Sequence, residues 1–275
     1  MTISLTFPAG GALIAGGTGS IGQGVVEGLC RAGVPVLFTY LGGGNRDSER
    51  KAVAMVERLS AQGYRVRARR MDMRDSEQIE AALDELAAWT GRVHCVIATA
   101  GASPVFARTA DYRPEQVEQF IAGDAMAYFR LFRCAVQRMR GAGGGSIACT
   151  TTIDVGRLAP YNGASGMSKA MVEAMMRHIA AEEAAAGIRA NYVRIAWVGD
   201  DDFANHQDWL DAPTDREPVT QAEMLALIGR SHMLGIPMKR PGSLREAGDV
   251  FAFLSSDQAS YLTGQCIRMD GGEDL

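Results

Sequence analysis

Leu13-Ile14-Ala15-Gly16-Gly17-Thr18-Gly19-Ser20-Ile21-Gly22 is the stretch on which the fold turns. A short apolar run, residues 12–15, enters a glycine-dense turn. An amphipathic pattern over 21–32 follows, with Val25, Val26 and Leu29 on one face. Glycines there permit positive φ and close approach, so a pyrophosphate can rest on the amides at a helix N-terminus. Gly17, Gly19 and Gly22 satisfy G-x-G-x-x-G, in the strand–turn–helix setting the motif requires. Thr18, Ser20 and Ile21, together with Gly16 and Gly22, are the candidates to meet that pyrophosphate.

Outward from this turn, β-branched runs alternate with helical patterns, which implies parallel strands joined by crossover helices. Strands are expected at 34–40, 65–71, 93–98, 146–151, 188–195 and 265–268. Helices are expected at 50–62, from a Ser76 cap through 89, over most of 114–140, and at 168–186 and 244–254. Residues 199–238 read as an irregular, acidic segment. The expected fold is α/β: one Rossmann-type doubly wound unit over 1–275, about seven mostly parallel strands, with a substrate lid at 199–238.

Composition narrows the function classes. The chain has 275 residues, 47% apolar and 22% charged, and a formal charge of −4. That charge argues against nucleic acid, whose phosphates need a basic footprint. Cys30, Cys95, Cys134, Cys149 and Cys266 lack metal-ligand spacing and read as reduced packing residues. No apolar run is long enough to cross a bilayer, and no basic leader precedes one, so the expectation is a cytoplasmic protein. His206, Asp208 and Asp211 read as a solvated lid with no metal. His94 and His178 read as structural, and Met171, Met175 and Met176 as core or subunit contacts.

An acidic residue about 20 positions past the glycines grips a ribose 2′-hydroxyl and excludes a 2′-phosphate. Here the second strand ends Thr39-Tyr40-Leu41 without a carboxylate, and Asn45 and Arg46 follow. This favours NADP, while Asp47 and Glu49 keep NAD open.

Ala164-Ser165-Gly166-Met167-Ser168-Lys169-Ala170-Met171-Val172 resembles the active-site helix of the short-chain dehydrogenases/reductases. The resemblance extends over nearly the whole chain. The glycine spacing 16, 19, 22 is similar to that of the extended branch. Asp72-Met73 matches the family's adenine-holding pair, and Ala98-Thr99-Ala100-Gly101 its Asn-Asn-Ala-Gly turn. Thr152 falls at the catalytic serine. Arg240-Pro241-Gly242, Tyr261-Leu262-Thr263-Gly264-Gln265 and Asp270-Gly271-Gly272 match its C-terminal motifs. The resemblance implies hydride transfer between a nicotinamide and a carbonyl or alcohol. It also places Ala100, Gly101 and Val198 beside the cofactor, Lys169 on its ribose, and a homotetramer or homodimer through the helices holding Asp124 and Lys169 and the last strand.

The departures lie in the chemistry. Ser165 replaces the tyrosine four positions before Lys169, and Asp124 stands at the relay asparagine. Asp200 stands near the threonine that meets the pyrophosphate, where a carboxylate repels unless turned away. Tyr161 is the nearest phenol, at a spacing one residue longer than in the similar enoyl-thioester reductase branch. Eight helical residues overshoot two turns by about 80°, so Tyr161 reaches the site only if 160–163 is loop. Trp197, Phe203, Trp209 and Met224 are candidates for an apolar substrate wall.

The expected function is an NADP(H)-dependent reductase of a ketone or conjugated enone, possibly in specialised metabolism, with Thr152 and Tyr161 polarising the substrate oxygen. The alternatives are a non-redox dehydratase, isomerase or cyclase using Thr152, Ser165, Asp124 and Tyr161, or an inactive partner subunit.

Overall fold

The computed structural model describes residues 4–42, 46–200, 202–212 and 214–275, with the backbone but not the side chain of Arg46. Seven strands form one sheet: β1 (Gly11–Ala15), β2 (Val36–Tyr40), β3 (Val66–Arg70), β4 (Val93–Ala98), β5 (Gly145–Thr152), β6 (Ile188–Ile195) and β7 (Cys266–Met269). Their order is β3-β2-β1-β4-β5-β6-β7, and every pairing is parallel. The near-continuous apolar character of β1 and β4 follows, since both faces of a parallel sheet are covered. Strand order reverses between β1 and β4, and the crevice at their C-terminal ends is where ligands of such sheets bind.

Helices α1 (Ser20–Arg31), α2 (Arg46–Ala61) and α8 (Leu244–Ser255) cover one face, burying Val25, Leu29, Met55 and Phe251 with the sheet. Helices α3 (Ser76–Thr90), α5 (Ala127–Arg140) and α6 (Gly163–Glu183) cover the other, burying Leu83, Tyr128, Phe132 and Met176. Between α4 (Pro114–Phe120) and α5 the helix passes through a π turn, Ile121–Met126. All five cysteines are free, and four of them are buried. Among the described residues no helix is long and apolar enough to cross a membrane.

Four sequence expectations are corrected. The cap of α3 is Asp75, whose carboxylate accepts from the Glu77 and Gln78 amides; Ser76 is the first helical residue. Helix α6 starts at Gly163, five residues before the expected start, because the weak helix formers Gly163, Ser165 and Gly166 hide a turn that tertiary contacts hold. The segment read as irregular contains a 3₁₀ run, Phe203–Asp211, and a full helix α7, Gln221–Gly235. Thr220 and Glu223 form its capping box, a sequence signal that was there to be read. His178, expected to be structural, stands exposed on α6 and faces Glu182 at 3.6 Å.

Candidate active site

The crevice is floored by the glycine turn. Gly16 has φ +84°, and a Cβ on Gly22 would sit 2.1 Å from the Gly16 carbonyl oxygen. Only glycine fits where α1 presses on its own turn. No side chain caps α1 and no acidic residue occupies its first turn, so the amides of Ser20 and Ile21 remain open to an anion. A cavity of about 630 Å³ opens beside them, lined by Gly16, Thr18, Tyr40, Asp72, Met73, Ala100 and Gly101. These groups suit a dinucleotide: an uncapped helix start for the diphosphate and a partly apolar slot beyond it.

Asp72 chelates Arg74 at 2.6–3.1 Å, and that guanidinium holds its carboxyl below the usual range. Arg70 donates from Nε to the Leu41 carbonyl at 3.3 Å, placing a second cation at the end of β2. Neither arginine stands out in the sequence, because only strand pairing brings β3 beside β2. Asn45 and the Arg46 side chain lie outside the described residues. Asp200 accepts the Leu244 amide at 3.4 Å at the start of α8; Asp201 is outside the described residues. Val198 bridges to Gly242 and lines neither cavity of the crevice.

A second cavity of about 340 Å³ shares Thr99, Ala100, Gly101, Ala102 and Phe120 with the first. Thr152, Ser165, Lys169 and Asp124 all line it. The π turn rotates Asp124 inward, where one carboxylate oxygen accepts the Ala102 amide at 2.9 Å and the other accepts Ser168 Oγ at 2.9 Å. Lys169 Nζ lies 3.4 Å from Asp124 and donates to Tyr128 Oη at 3.3 Å. Burial opposes charge on Lys169, yet Tyr128 and Asp124 packed on it hold its pKa above the ordinary lysine value. Tyr128 is fully buried and donates to the Ala100 carbonyl at 2.5 Å, and burial pushes its phenol pKa up. Its structural task is therefore to seat Lys169. Thr99 Oγ donates to the carbonyls of Ala15 and Gly16 at 3.0 and 3.3 Å, filling the strand-tying position of the absent asparagine. Thr152 Oγ1 accepts the Asp154 amide at 3.2 Å, which leaves its own proton free for the cavity.

Tyr161 is not brought into this cavity. Residues 160–162 are loop but Gly163 already begins α6; Tyr161 adopts φ +61° and its hydroxyl donates to Glu217 at 3.3 Å, in a separate cavity. The expected apolar wall also changes. Trp197 lines the site with Phe106, Phe120, Leu225 and Ile228, whereas Phe203 and Trp209 are buried in a separate cluster with Met233 and Ile236. Met224 lines neither cavity; its sulfur accepts from Gln221 at 3.8 Å. His206 stacks on Trp209, with ring centroids 3.9 Å apart.

Sequence reasoning passed over His232. It lines the cavity from the last turn of α7, and its Nδ1 lies 2.8 Å from the buried Glu273 carboxylate. Arg157 Nη1 pairs with Glu273 at 2.5 Å. Buried Asp154 lines the same wall; burial raises its carboxyl pKa, and Asn162 and His232 pull it partly back. A lone histidine near the end of α7 and a glutamate 41 positions later carry no shared pattern that spacing can reveal.

Comparison with known proteins agrees with this architecture. The sequence profile of enoyl-(acyl carrier protein) reductases matches residues 15–273. The chain is 30% identical to 1-cyclohexenylcarbonyl-CoA reductase of Streptomyces collinus, covering 94% of this chain and 85% of that one. It is 28% identical to a peroxisomal 2,4-dienoyl-CoA reductase of Danio rerio, covering 95% and 80%. A short-chain type dehydrogenase/reductase from Mycobacterium ulcerans superposes with a TM-score of 0.83 at 26% identity, covering 98% of this chain and 92% of that one. Members of this family are oxidoreductases that bind nicotinamide dinucleotides, and the chain belongs to it: it is a short-chain dehydrogenase/reductase.

Proposed function

We propose that the protein is an NADP(H)-dependent reductase of a conjugated enone, with an α,β-unsaturated acyl thioester as the foremost substrate form and a ketone as the second class. The observation that carries this is the pair of joined cavities, one fitted to a dinucleotide and one to a small apolar substrate, with Lys169 and Asp124 buried at their seam. Two relatives are named for reducing conjugated acyl-CoA substrates, which supports the thioester.

In this reading Gly16, Thr18, Ser20, Ile21 and Gly22 hold the diphosphate, Asp72 and Met73 hold the adenine, and Lys169 holds the nicotinamide ribose. The end of β2, Thr39-Tyr40-Leu41, carries no carboxylate, and with Arg70 and Arg74 nearby this supports a 2′-phosphate, hence NADP. When bound, the reduced dinucleotide supplies hydride to the substrate β-carbon. The Thr152 and Ser165 hydroxyls donate to the carbonyl oxygen and stabilise the enolate. An enolate needs fixed donors more than a strong acid, so losing the usual tyrosine is tolerable there. Exposed Met126, Phe129, Met167 and Met171 on the π turn, α5 and α6 support assembly as a dimer or tetramer. The working unit spans 1–275 with 199–238 as its lid, in the cytoplasm.

A non-redox reading draws on Asp200 and the missing asparagine pair. Asp200 accepts the Leu244 amide at the start of α8 and Thr99 ties to the Ala15 carbonyl, which supports the reductase reading instead. The test is NADPH consumption, followed by absorbance, with an α,β-unsaturated acyl thioester and with a saturated ketone of similar size. Faster consumption with the thioester is expected; none with either contradicts the proposal.

A further inference from the structure

Without a tyrosine at position 165 the cavity needs another proton donor: Ser165 and Thr152 are weak acids, Lys169 is committed to Asp124 and Tyr128, and Asp154 turns its carboxylate oxygens to the Ala159 amide and Asn162. We infer that His232, oriented by Glu273, is the acid that delivers the substrate's proton. This deepens the reductase reading above and rests on it.

Three independent features build the dyad. The Glu273 side chain is fully buried and anchored by Arg157 at 2.5 Å, which aims its other carboxylate oxygen at Nδ1 of His232, 2.8 Å away. A carboxylate at Nδ1 fixes a proton on that nitrogen and leaves Nε2 as the working atom, as in His–Asp pairs of hydrolases. Among the described residues Nε2 has no hydrogen-bond partner, and the ring lines the cavity.

His232 sits in the last turn of α7, which holds its ring against the wall of the cavity. Gly235, one turn on, has no room for a side chain: a Cβ would meet Arg157 Nη2 at 2.8 Å and Glu273 Oε1 at 2.9 Å. The tail is shaped to the same end. Asp270 accepts the Gly272 and Asp274 amides at 2.9 and 3.1 Å, and Gly271 and Gly272 have positive φ, turning Glu273 back under the lid helix. The titratable and charged groups around the ring are Glu273, Arg157 and Asp154, each already described.

The step balances. Hydride from the reduced nicotinamide dinucleotide adds two electrons at the β-carbon, and the π pair moves to the α-carbon and carbonyl oxygen as an enolate. The Nε2–H bond of the His232 imidazolium breaks, a C–H bond forms at the α-carbon, and neutral His232 regains a proton from water.

The test compares the full-length protein with His232→Gln. The expected result is a kcat lower by about 100-fold or more, with NADPH affinity and Tm unchanged. In D₂O the unsubstituted protein places deuterium on one face of the α-carbon, and the variant scrambles it. A kcat within about 3-fold of the original, with the label still on one face, overturns the proposal while leaving the reductase reading intact; about 3-fold is under 1 kcal/mol of barrier. If the variant does not fold, carbethoxylation of the unsubstituted protein decides. The chain has four histidines, so the modified peptide is readily mapped. His232 labelling that is blocked by the enoyl thioester without cofactor, and that abolishes turnover, supports the dyad; labelling of His232 with turnover intact overturns it. Failure of the unsubstituted protein to bind NADPH overturns the reductase reading and takes this proposal with it.

Discussion

The two ends of the crevice are built from different material. At the dinucleotide end the floor is backbone: a glycine turn, open amides of α1 and the carbonyl ends of β1 and β4. At the substrate end it is side chains from distant positions, with Asp124 reaching Ser168 44 residues later and His232 reaching Glu273 41 later. A backbone site tolerates almost no change, because an added atom strikes the main chain. A side-chain site holds together through hydrogen bonds between distant residues, as Asp124 does with the Ala102 amide and Ser168.

The comparison is broken most directly at its rigid end. Gly22→Ala puts a Cβ 2.1 Å from the Gly16 carbonyl. We expect saturable NADPH binding to vanish, read by nucleotide fluorescence; retained affinity would mean that the turn is softer than its packing implies. The next largest effect lies at the seam. Lys169→Met leaves the buried Asp124 carboxylate without its cation, and removing one partner of such a pair costs about 3–5 kcal/mol. Urea denaturation is expected to show a loss of that order together with loss of turnover.

Smaller effects sharpen the contrast. Arg240 and the Ser243 amide pull Glu246 down to about 2 in the capping box of α8. A carboxyl depressed below its unfolded value stabilises above that value and loses its contribution as pH falls. The stability contributed is therefore present above pH 4.5 and lost toward about 2. Glu246→Gln should flatten that stretch of the stability–pH curve, by less than about 1 kcal/mol since the pair is largely solvent-screened. Smallest is Tyr161→Phe: its hydroxyl binds Glu217 outside the cavity. We expect kcat to hold and stability to change by under about 1 kcal/mol; a large fall in kcat would return Tyr161 to the chemistry.

The same contrast explains what the sequence made legible. The strands, the doubly wound order and the glycine turn are local patterns, and they were found within a few residues of their true bounds. Helix α7 was missed although Thr220 and Glu223 announce it, because the flanking acidic stretch obscured the period. Ser165 and Lys169, one turn apart, were recognised together. The His232–Glu273–Arg157 contact was not, since three chain segments meet only after β7 docks and its glycine turn folds back. Tyr161 depends on backbone that spacing does not specify: 160–162 is loop, Gly163 already begins α6, and at φ +61° the tyrosine hydroxyl meets Glu217 outside the cavity.

The most direct test of the account is a fluorescence titration of the purified protein with NADPH and, separately, NADH. The account predicts saturable NADPH binding, with NADH weaker. No saturable binding of either nucleotide would contradict it, for the glycine-floored cavity would then hold no dinucleotide and Lys169 would have no ribose to meet.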